Sequence, residues 1–314
     1  MKAVLFHEFG GTEVLRHGTA PDPVPKPGQV RVRLRAASLN HLDLFIRSGE
    51  REKNIPLPHI LGGDGAGIVD ETGEGVTSFR PGDRVAISPG ISCGTCYACT
   101  NNHETFCSSY HVLGTRENGT YAEYVCVPES NLVFLTEKLS FNEGAAVPLV
   151  FLTAWHMLVT RAEIQSGETV LVHGAGSGVG SAAIQIAKIH GARVITTAGS
   201  DEKLEKARAL GADEVINYST KDFVEVVRTL TGNRGVDVIF EHTGGEVFAK
   251  SVTVLGRGGR LVTCGSTTDY MANVDVRYIY SRQQSLLGSW MGWKHELEHV
   301  MKLFDAPNGR RLNP

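Results

Sequence analysis

The second half of this 314-residue chain contains short apolar segments at a nearly constant spacing, and this spacing constrains the fold more than any other feature. The segments begin near residues 170, 192, 214, 236 and 260, which are 22, 22, 22 and 24 residues apart. Each interval has room for one buried strand, one helix and two loops. The helical patterns lie at residues 181–189, 201–210, 222–230 and 245–255. This alternation predicts a doubly wound parallel sheet.

Two of these helices have start signals in the sequence. Ser200 stands before Asp201 and Glu202, which is typical of an N-cap followed by an acidic first turn. Ser219, with Asp222 three residues later, resembles a capping box at the start of the next helix. We therefore expect helices to begin close to these two serines.

The first 148 residues have a different sequence pattern, in which short strand-like segments are separated by glycine and proline. Polar and apolar residues alternate strictly in Gln29–Ala36, which predicts a strand with one face in water. Further strand patterns lie at residues 67–69, 83–87 and 121–127. The chain is therefore predicted to be an α/β protein, with a β-rich domain over residues 1–148 and a doubly wound domain over residues 149–289.

The composition excludes several classes of protein. The net charge of −3 supplies no polycationic face, so nucleic acid is not an expected partner. Apolar runs stay well short of the about 18 residues of a membrane helix, so no membrane contact is expected. The N-terminus becomes polar at His7 and Glu8, too early for a signal peptide, and the cytoplasm is the expected location.

Four of the six cysteines are clustered in the β-rich half. Four thiolates fill a tetrahedral shell and leave no open position, so the spacing predicts one structural zinc ion. An iron–sulfur cluster and free thiols are the alternatives, although Cys107 is followed by Ser108 rather than by proline. The isolated Cys126 and Cys264 are expected to be buried thiols. The predicted zinc ligands are Cys93, Cys96, Cys99 and Cys107.

A glycine-rich loop follows the first strand of the predicted parallel sheet and runs into a helix near Ser181. Such a loop lets the backbone approach a pyrophosphate at the helix N-terminus. Many glycine-rich loops are only turns, but this position between a strand and a helix predicts a dinucleotide site. The expected contacts are Ser177, Gly178 and Val179 in the loop and Thr243, Gly265 and Ser266 at later strand ends.

The end of the second strand predicts NADP(H) rather than NAD(H). NAD sites place a carboxylate there for the ribose 2′-hydroxyl, whereas this chain has Gly199 and Ser200. A hydroxyl, with Lys203 one turn later, suits a 2′-phosphate, and Tyr218 is placed to cover the adenine side. The alternative is that the neighbouring acidic residues only begin a helix and Lys203 is a solvated charge.

Together these motifs resemble the medium-chain dehydrogenase/reductase superfamily, and in particular its quinone oxidoreductase-like branch. The resemblance covers essentially the whole chain and implies a GroES-like domain followed by a Rossmann domain. It also implies that residues 290–314 return toward the first domain and that the chain stops before the family's last helix and strand. The matching segments are residues 62–69, 73–76, 81–85, 93–107, 210–213 and 237–241.

The departures from the zinc alcohol dehydrogenases of this superfamily bear on mechanism. Asn40 and Gly63 stand where those enzymes have the first two ligands of a catalytic zinc, and residues 149–153 offer no third ligand. His41 and His59 are expected to be surface or structural imidazoles. An enzyme without these ligands has no metal to polarise its substrate, so its acceptor must already be electrophilic. The resemblance therefore implies hydride transfer from NADPH to a quinone or an α,β-unsaturated carbonyl.

The resemblance also supplies catalytic candidates and alternatives. Asn40 is expected as the oxyanion donor, Asp43 as the residue that orients its loop, and Thr153 as a neighbour of the nicotinamide, with water as the proton donor. The segment 284–289 resembles the family's edge strand, so a homodimer or homotetramer is expected. The alternatives are a zinc-type alcohol dehydrogenase and a nucleotide-binding protein with little turnover.

Overall fold

The computed structural model describes residues 1–306 and 311–314, which form two compact units. Unit 1 comprises Met1–Leu149, Trp293–Asp305 and Pro314, and unit 2 comprises Val150–Gly292 with residues 306 and 311–313. Residues 307–310, which belong to the predicted return segment, lie outside the described residues. Among the helices of the described chain, none has the length and apolar character needed to cross a membrane.

Unit 1 is mostly β. Its strands are β1 (Lys2–Phe6), β2 (Arg16–Thr19), β3 (Gln29–Ser38), β4 (His59–Ile60), β5 (Asp64–Thr72), β6 (Arg84–Ile87), β7 (Gly90–Ile91), β8 (His111–Val112), β9 (Tyr124–Pro128) and β10 (Leu132–Phe134). Its helices are α1 (His41–Arg47), α2 (Tyr97–Thr100) and α3 (Phe141–Ala146), and α4 (Pro148–Trp155) begins here. The strands pair as β2-β1-β4, β10-β6-β5-β3-β9 and β7-β8.

Strand β3 shows why the first half of the sequence folds this way. Val30 and Val32 are fully buried, whereas the Arg31 side chain leaves the opposite face and lies 2.6 Å from the Asp70 carboxylate. A two-residue period puts alternate side chains on opposite faces of a sheet. The predicted alternation is therefore confirmed, and β3 packs its apolar face into the core of the five-stranded sheet.

Unit 2 alternates strands and helices. Its strands are β11 (Thr169–Val172), β12 (Arg193–Ala198), β13 (Glu214–Asn217), β14 (Val236–Glu241), β15 (Leu255–Thr263) and β16 (Ser285–Gly288). Its helices are α5 (Gly178–Ile189), α6 (Asp201–Ala209), α7 (Phe223–Leu230), α8 (Gly245–Val254) and α9 (Val276–Arg282), followed in unit 1 by α10 (Lys294–Leu303). The sheet order is β13-β12-β11-β14-β15-β16, and each pair of neighbouring strands is parallel.

This order confirms the predicted doubly wound sheet, because the strand order reverses beside the first strand, β11. All four residues of β11 are buried, as expected for a strand with helices over both faces. The segment predicted as an edge strand forms β16, the last strand in the order.

Two details of the helix starts differ from the sequence analysis. Helix α5 begins at Gly178 rather than Ser181, since the glycines of the loop already have helical geometry. Helix α7 is capped by Asp222, whose carboxylate accepts a hydrogen bond from the Val224 N–H at 2.7 Å, so the capping role given to Ser219 was wrong. An Asp side chain at the N-cap satisfies an N–H of the first turn by itself.

Candidate functional site

The glycine-rich loop is held in place by Ser177. The Ser177 hydroxyl accepts a hydrogen bond from the Gly180 N–H at 3.0 Å and donates one to the Gly174 carbonyl at 2.8 Å. Gly174 has a φ of +66°, which suits glycine. Gly176 and Gly178 are exposed, so their backbone is open to a ligand at the N-terminus of the twelve-residue helix α5.

His242, which follows β14, supports the same loop. Its Nε2 lies 3.1 Å from the His173 carbonyl and 3.3 Å from the Ser177 hydroxyl. A carbonyl only accepts hydrogen bonds, so Nε2 carries the proton in this contact. A Cβ on Gly174 would come within 3.0 Å of the His242 ring. The sequence predicts that His242 lies at a strand end that lines the cofactor site, but not that it supports the glycine loop, because its partners there are distant in sequence.

The residues predicted to contact the ribose 2′-phosphate and the adenine of the cofactor lie close together near the end of β12. A Cβ on Gly199 would lie 2.8 Å from the Tyr218 hydroxyl, and a Cβ on Gly176 would lie 2.7 Å from Cδ of Lys203. The Tyr218 ring and the Lys203 stem therefore lie over the strand end and the glycine loop. Asp201, the first acidic residue after β12 in the sequence, accepts a hydrogen bond from the Asn217 amide at 2.8 Å.

Ser200 occupies the N-cap position of α6, as predicted. Within the described part of the chain, however, its side chain makes no capping hydrogen bond to this helix. The capping interaction inferred from the sequence is therefore wrong in its chemistry, although its position is right. The serine is half-buried, and its hydroxyl is not used to cap α6.

Buried Glu241 organises the ends of β14 and β15. Its Oε1 accepts hydrogen bonds from the Thr243 N–H at 2.7 Å and the Gly244 N–H at 2.9 Å, and its Oε2 accepts one from Thr263. Burial raises the pKa of this carboxyl. The Thr263 hydroxyl oxygen also lies 3.0 Å from the Gly265 carbonyl oxygen. Thr243 and Gly265 therefore lie at the same edge of the sheet, with Ser266 directly after Gly265.

In unit 1, Asn40 and Asp43 form the start of α1. The Asn40 N–H donates to the Asp43 carboxylate at 2.7 Å, and the Tyr121 hydroxyl donates to the same oxygen at 2.8 Å. Burial raises the pKa of Asp43, although these hydrogen bonds oppose the shift. The carboxylate of Asp43 is therefore hydrogen-bonded to the backbone of Asn40 at the start of α1.

The Asn40 side chain binds a second buried acid, Asp64 on β5. The Asn40 amide donates to the Asp64 carboxylate at 2.9 Å, and Asp64 is completely buried. Nearby His59 is also buried, and its Nε2 lies 3.0 Å from the Gly114 carbonyl. His59 is thus a structural imidazole, as predicted, and His41 is exposed.

Thr153, the third catalytic candidate, is a buried residue of α4 in unit 2. Its hydroxyl lies 3.8 Å from the Met291 sulfur, a distance at which a hydroxyl donates a weak hydrogen bond. The structure therefore brings Asn40 and Asp43 together within unit 1, and it places Thr153 in the other unit.

The four clustered cysteines have the geometry of a metal site. Their Sγ atoms all lie within 4.8 Å of one another, and three of the separations are 3.9, 3.5 and 3.6 Å. A tetrahedral zinc with about 2.3 Å bonds to sulfur separates its ligands by about 3.8 Å. Hydrogen bonds from the Thr95 and Cys96 backbone lower the pKa of Cys93 to about 6, which favours the thiolate that binds metal.

Among residues 1–306 and 311–314, these thiols are the one group in which three or more His, Cys, Asp or Glu ligand atoms come this close. The Sγ separations fit zinc. A fully sulfur-ligated zinc crosslinks the loop around it and has no open position for a substrate.

Two family models match the chain. One is described as the alcohol dehydrogenase GroES-like domain and matches residues 26–137, and the other is described as zinc-binding dehydrogenase and matches residues 178–306. The quinone oxidoreductase of Homo sapiens is 32% identical over 289 residues, which cover 92% of this chain and 79% of that protein. The chain belongs to the medium-chain dehydrogenase/reductase superfamily.

Two solved structures of similar proteins agree with this assignment. An NAD-dependent alcohol dehydrogenase is 47% identical, with a TM-score of 0.95 over 99% of this chain and 90% of that one. A crotonyl-CoA carboxylase/reductase, AntE V350A in complex with NADP, is 25% identical, with a TM-score of 0.91 over 97% and 85%. The predicted α/β fold, with a GroES-like and a Rossmann-type domain, is confirmed, and the chain is an oxidoreductase of the superfamily. The zinc-binding dehydrogenase match and the four-thiol cluster together indicate structural zinc.

Proposed function

We propose that this oxidoreductase transfers a hydride from NADPH to a quinone or an α,β-unsaturated carbonyl, without a catalytic zinc. One observation carries the proposal. Asn40 stands at the position where zinc alcohol dehydrogenases of the superfamily have the first ligand of their catalytic zinc, and its amide donates a hydrogen bond to the buried Asp64. An amide donor suits an acceptor that is already electron-poor, because conjugation spreads the incoming charge toward an oxygen.

Residues of both units have defined roles in this proposal. NADPH, when bound, supplies the hydride, which forms a C–H bond at the electron-poor carbon of the acceptor. The electron pair of the acceptor's double bond moves to its oxygen, and the Asn40 amide donates a hydrogen bond to that oxygen. Asp43 holds the Asn40 backbone in place. Water supplies the proton that completes the reduction. Thr153 is proposed as the residue beside the nicotinamide.

The preference for NADPH is supported by the end of β12. The Lys203 ammonium and the Ser200 hydroxyl are the cation and donor proposed for a 2′-phosphate, and the Tyr218 ring covers the strand end beside Gly199. Asp201, the first carboxylate after β12 in the sequence, accepts a hydrogen bond from Asn217. Ser177, Gly178 and Val179 are proposed to hold the pyrophosphate. Thr243, Gly265 and Ser266 line the later strand ends.

The reaction is tested by following NADPH oxidation with a panel of quinones and enones, together with alcohol oxidation by NAD⁺ and by NADP⁺. We expect the protein to oxidise NADPH and to contain about one zinc ion per chain. The rate of NADPH oxidation should be unchanged by chelators that remove accessible metal. Alcohol oxidation with about two zinc ions per chain would refute the proposal and favour a zinc-type alcohol dehydrogenase, which the likeness to an alcohol dehydrogenase structure supports. Tight NADPH binding without turnover would favour a nucleotide-binding protein.

Cofactor preference is tested with Lys203→Ala. This variant should raise the Kd of NADPH about tenfold and leave the Kd of NADH within twofold, since only NADPH carries the extra phosphate. Lys206→Ala is the matched control on the same helix, because Lys206 pairs with Glu202 at 2.8 Å. Equal losses for both cofactors in Lys203→Ala would contradict the 2′-phosphate role.

We also propose that the protein is a homodimer or homotetramer in a reducing, cytoplasmic location. The terminal strand β16 and the exposed Tyr280 and Trp290 of unit 2 support association, since an open strand edge can pair with a second copy. None of the six cysteines, all of which lie within the described residues, forms a disulfide, which agrees with a reducing compartment. Light scattering of the purified protein tests the oligomeric state, and a monomer at micromolar concentration would refute the association.

A further inference from the structure

Three hydrogen-bond donors from separate parts of the chain converge on the carboxylate of Asp64. The Ser38 hydroxyl lies 3.1 Å and the Asn40 amide 2.9 Å from Oδ2, and the Leu149 N–H lies 3.0 Å from Oδ1. Asp64 is fully buried on β5. A buried carboxylate costs free energy unless its oxygens are satisfied, and here the donors are all uncharged.

The Leu149 contact also anchors Asp64 to a helix. Leu149 is the second residue of the eight-residue helix α4, where backbone N–H groups have no partner within the helix. A carboxylate at this end is favoured by the positive end of the helix dipole. Asp64 is therefore fixed from one side by α4 and presents its other oxygen to Ser38 and Asn40.

An ionised carboxylate only accepts hydrogen bonds, so it determines which end of a neighbouring amide faces it. The Asn40 side chain must turn its nitrogen, not its oxygen, toward Asp64. The amide nitrogen carries two N–H groups, and donation of one to Asp64 fixes the direction of the other. Resting on the proposed function, we propose that Asp64 is a positioning residue, which orients the Asn40 amide so that its second N–H is presented to the oxygen of the acceptor.

The protonation of Asp64 bears on this role. Burial raises the pKa of Asp64 to about 7, against the opposing effect of its three hydrogen bonds. The titratable groups that face it are the Asp43 carboxylate and the Tyr121 phenol. A neutral carboxyl can donate to the amide oxygen and so allows the amide to turn. The orientation of Asn40 should therefore be lost as the pH falls through about 7.

The kinetic test compares the wild type with Asp64→Asn, Ser38→Ala and Thr120→Val. Asp64→Asn should lower kcat at least tenfold and leave the KM for NADPH within twofold. Ser38→Ala removes one donor from the charged form, so the acid limb of the kcat profile should move to higher pH by about half a unit or more. Thr120→Val removes a 2.7 Å bond to the Asp64 backbone carbonyl, not to the carboxylate, and should keep the wild-type pH profile.

A second measurement does not depend on activity. In protein labelled with ¹⁵N-asparagine, Asn40→Ser identifies the side-chain signals of Asn40. These signals should change with a midpoint near pH 7 in the wild type and should be independent of pH in Asp64→Asn. Asn40 signals that are the same in both proteins, or a kcat that rises on the acid side in the wild type but not in Asp64→Asn, would overturn the proposal. Absence of quinone and enone reduction in the wild type would refute the proposed function, while the labelling experiment would still decide whether Asp64 orients Asn40.

Discussion

The substitution Gly180→Ala tests how closely the glycine loop and helix α5 approach one another. A methyl group at residue 180 would collide with the carbonyl oxygen of Gly174, far inside the about 3.3 Å of ordinary carbon–oxygen contacts. The loop or the helix must then move by about 1 Å. That movement disrupts the 2.8 Å hydrogen bond from the Ser177 hydroxyl to the Gly174 carbonyl.

The expected cost is the sum of opposing effects. Overpacking costs about 1–3 kcal/mol. The lost hydrogen bond costs about 1 kcal/mol. Alanine gains about 1 kcal/mol over glycine inside a helix. The net loss of stability should be about 1–3 kcal/mol. Displacement of the backbone N–H groups at the helix start should also weaken dinucleotide binding by about tenfold or more.

Amide hydrogen exchange of peptides from β11 and α5 measures this effect locally, and titration with NADPH measures binding. Exchange in Gly180→Ala should be about 5- to 150-fold faster, which corresponds to 1–3 kcal/mol. The matched control is Gly176→Ala, whose methyl group would first meet the flexible Lys203 side chain, at 2.7 Å. Exchange in the control should stay close to the wild type. Equal exchange in Gly180→Ala and the wild type would refute the close approach.

Three further predictions concern stability and binding. Burial raises the pKa of Asp64 to about 7 in the folded protein, against an ordinary value of 3.8, so the stability that this residue contributes is greatest at low pH and is lost as the pH rises through about 7. The wild type should therefore lose about 4 kcal/mol relative to Asp64→Asn between pH 4 and pH 8. Hydrogen exchange of β5 at each pH measures this difference. Cys99→Ser should abolish stoichiometric zinc and destabilise unit 1 by more than about 3 kcal/mol, as seen in metal analysis and thermal unfolding. His242→Asn should raise the Kd of NADPH about three- to tenfold through loss of the contacts to His173 and Ser177.

Each of these predictions has a control. A stability difference between wild type and Asp64→Asn that does not vary with pH would show that Asp64 has an ordinary pKa. Cys126→Ser removes a thiol outside the cluster and should keep the zinc, so an equal loss in both cysteine variants would argue against the site. His190→Gln changes a histidine at the C-terminal end of α5 and should leave cofactor binding unchanged.

Much of the fold was predictable because it depends on patterns among residues that are close together in the sequence. Strands at intervals of 22 to 24 residues predicted the parallel sheet, since a strand, a helix and two loops need about this length. Two-residue alternation in Gln29–Ala36 predicted the exposed and buried faces of β3. The four cysteines lie close in the sequence, so their short spacers alone predicted that the thiols converge. These features depend on residues a few positions apart.

Tertiary structure decided the rest, because the deciding partners are distant in sequence. The donors to Asp64 lie 26, 24 and 85 positions away, and no spacing rule relates Ser38 and Leu149 to a carboxylate on β5. The contact of His242 with Ser177 spans 65 positions. Even the start of α5 at Gly178 depended on the fold, because glycine alone favours a loop and only the hydrogen bonds of the packed turn make it helical. Local sequence thus determined which elements form, and packing determined which polar groups meet in the interior.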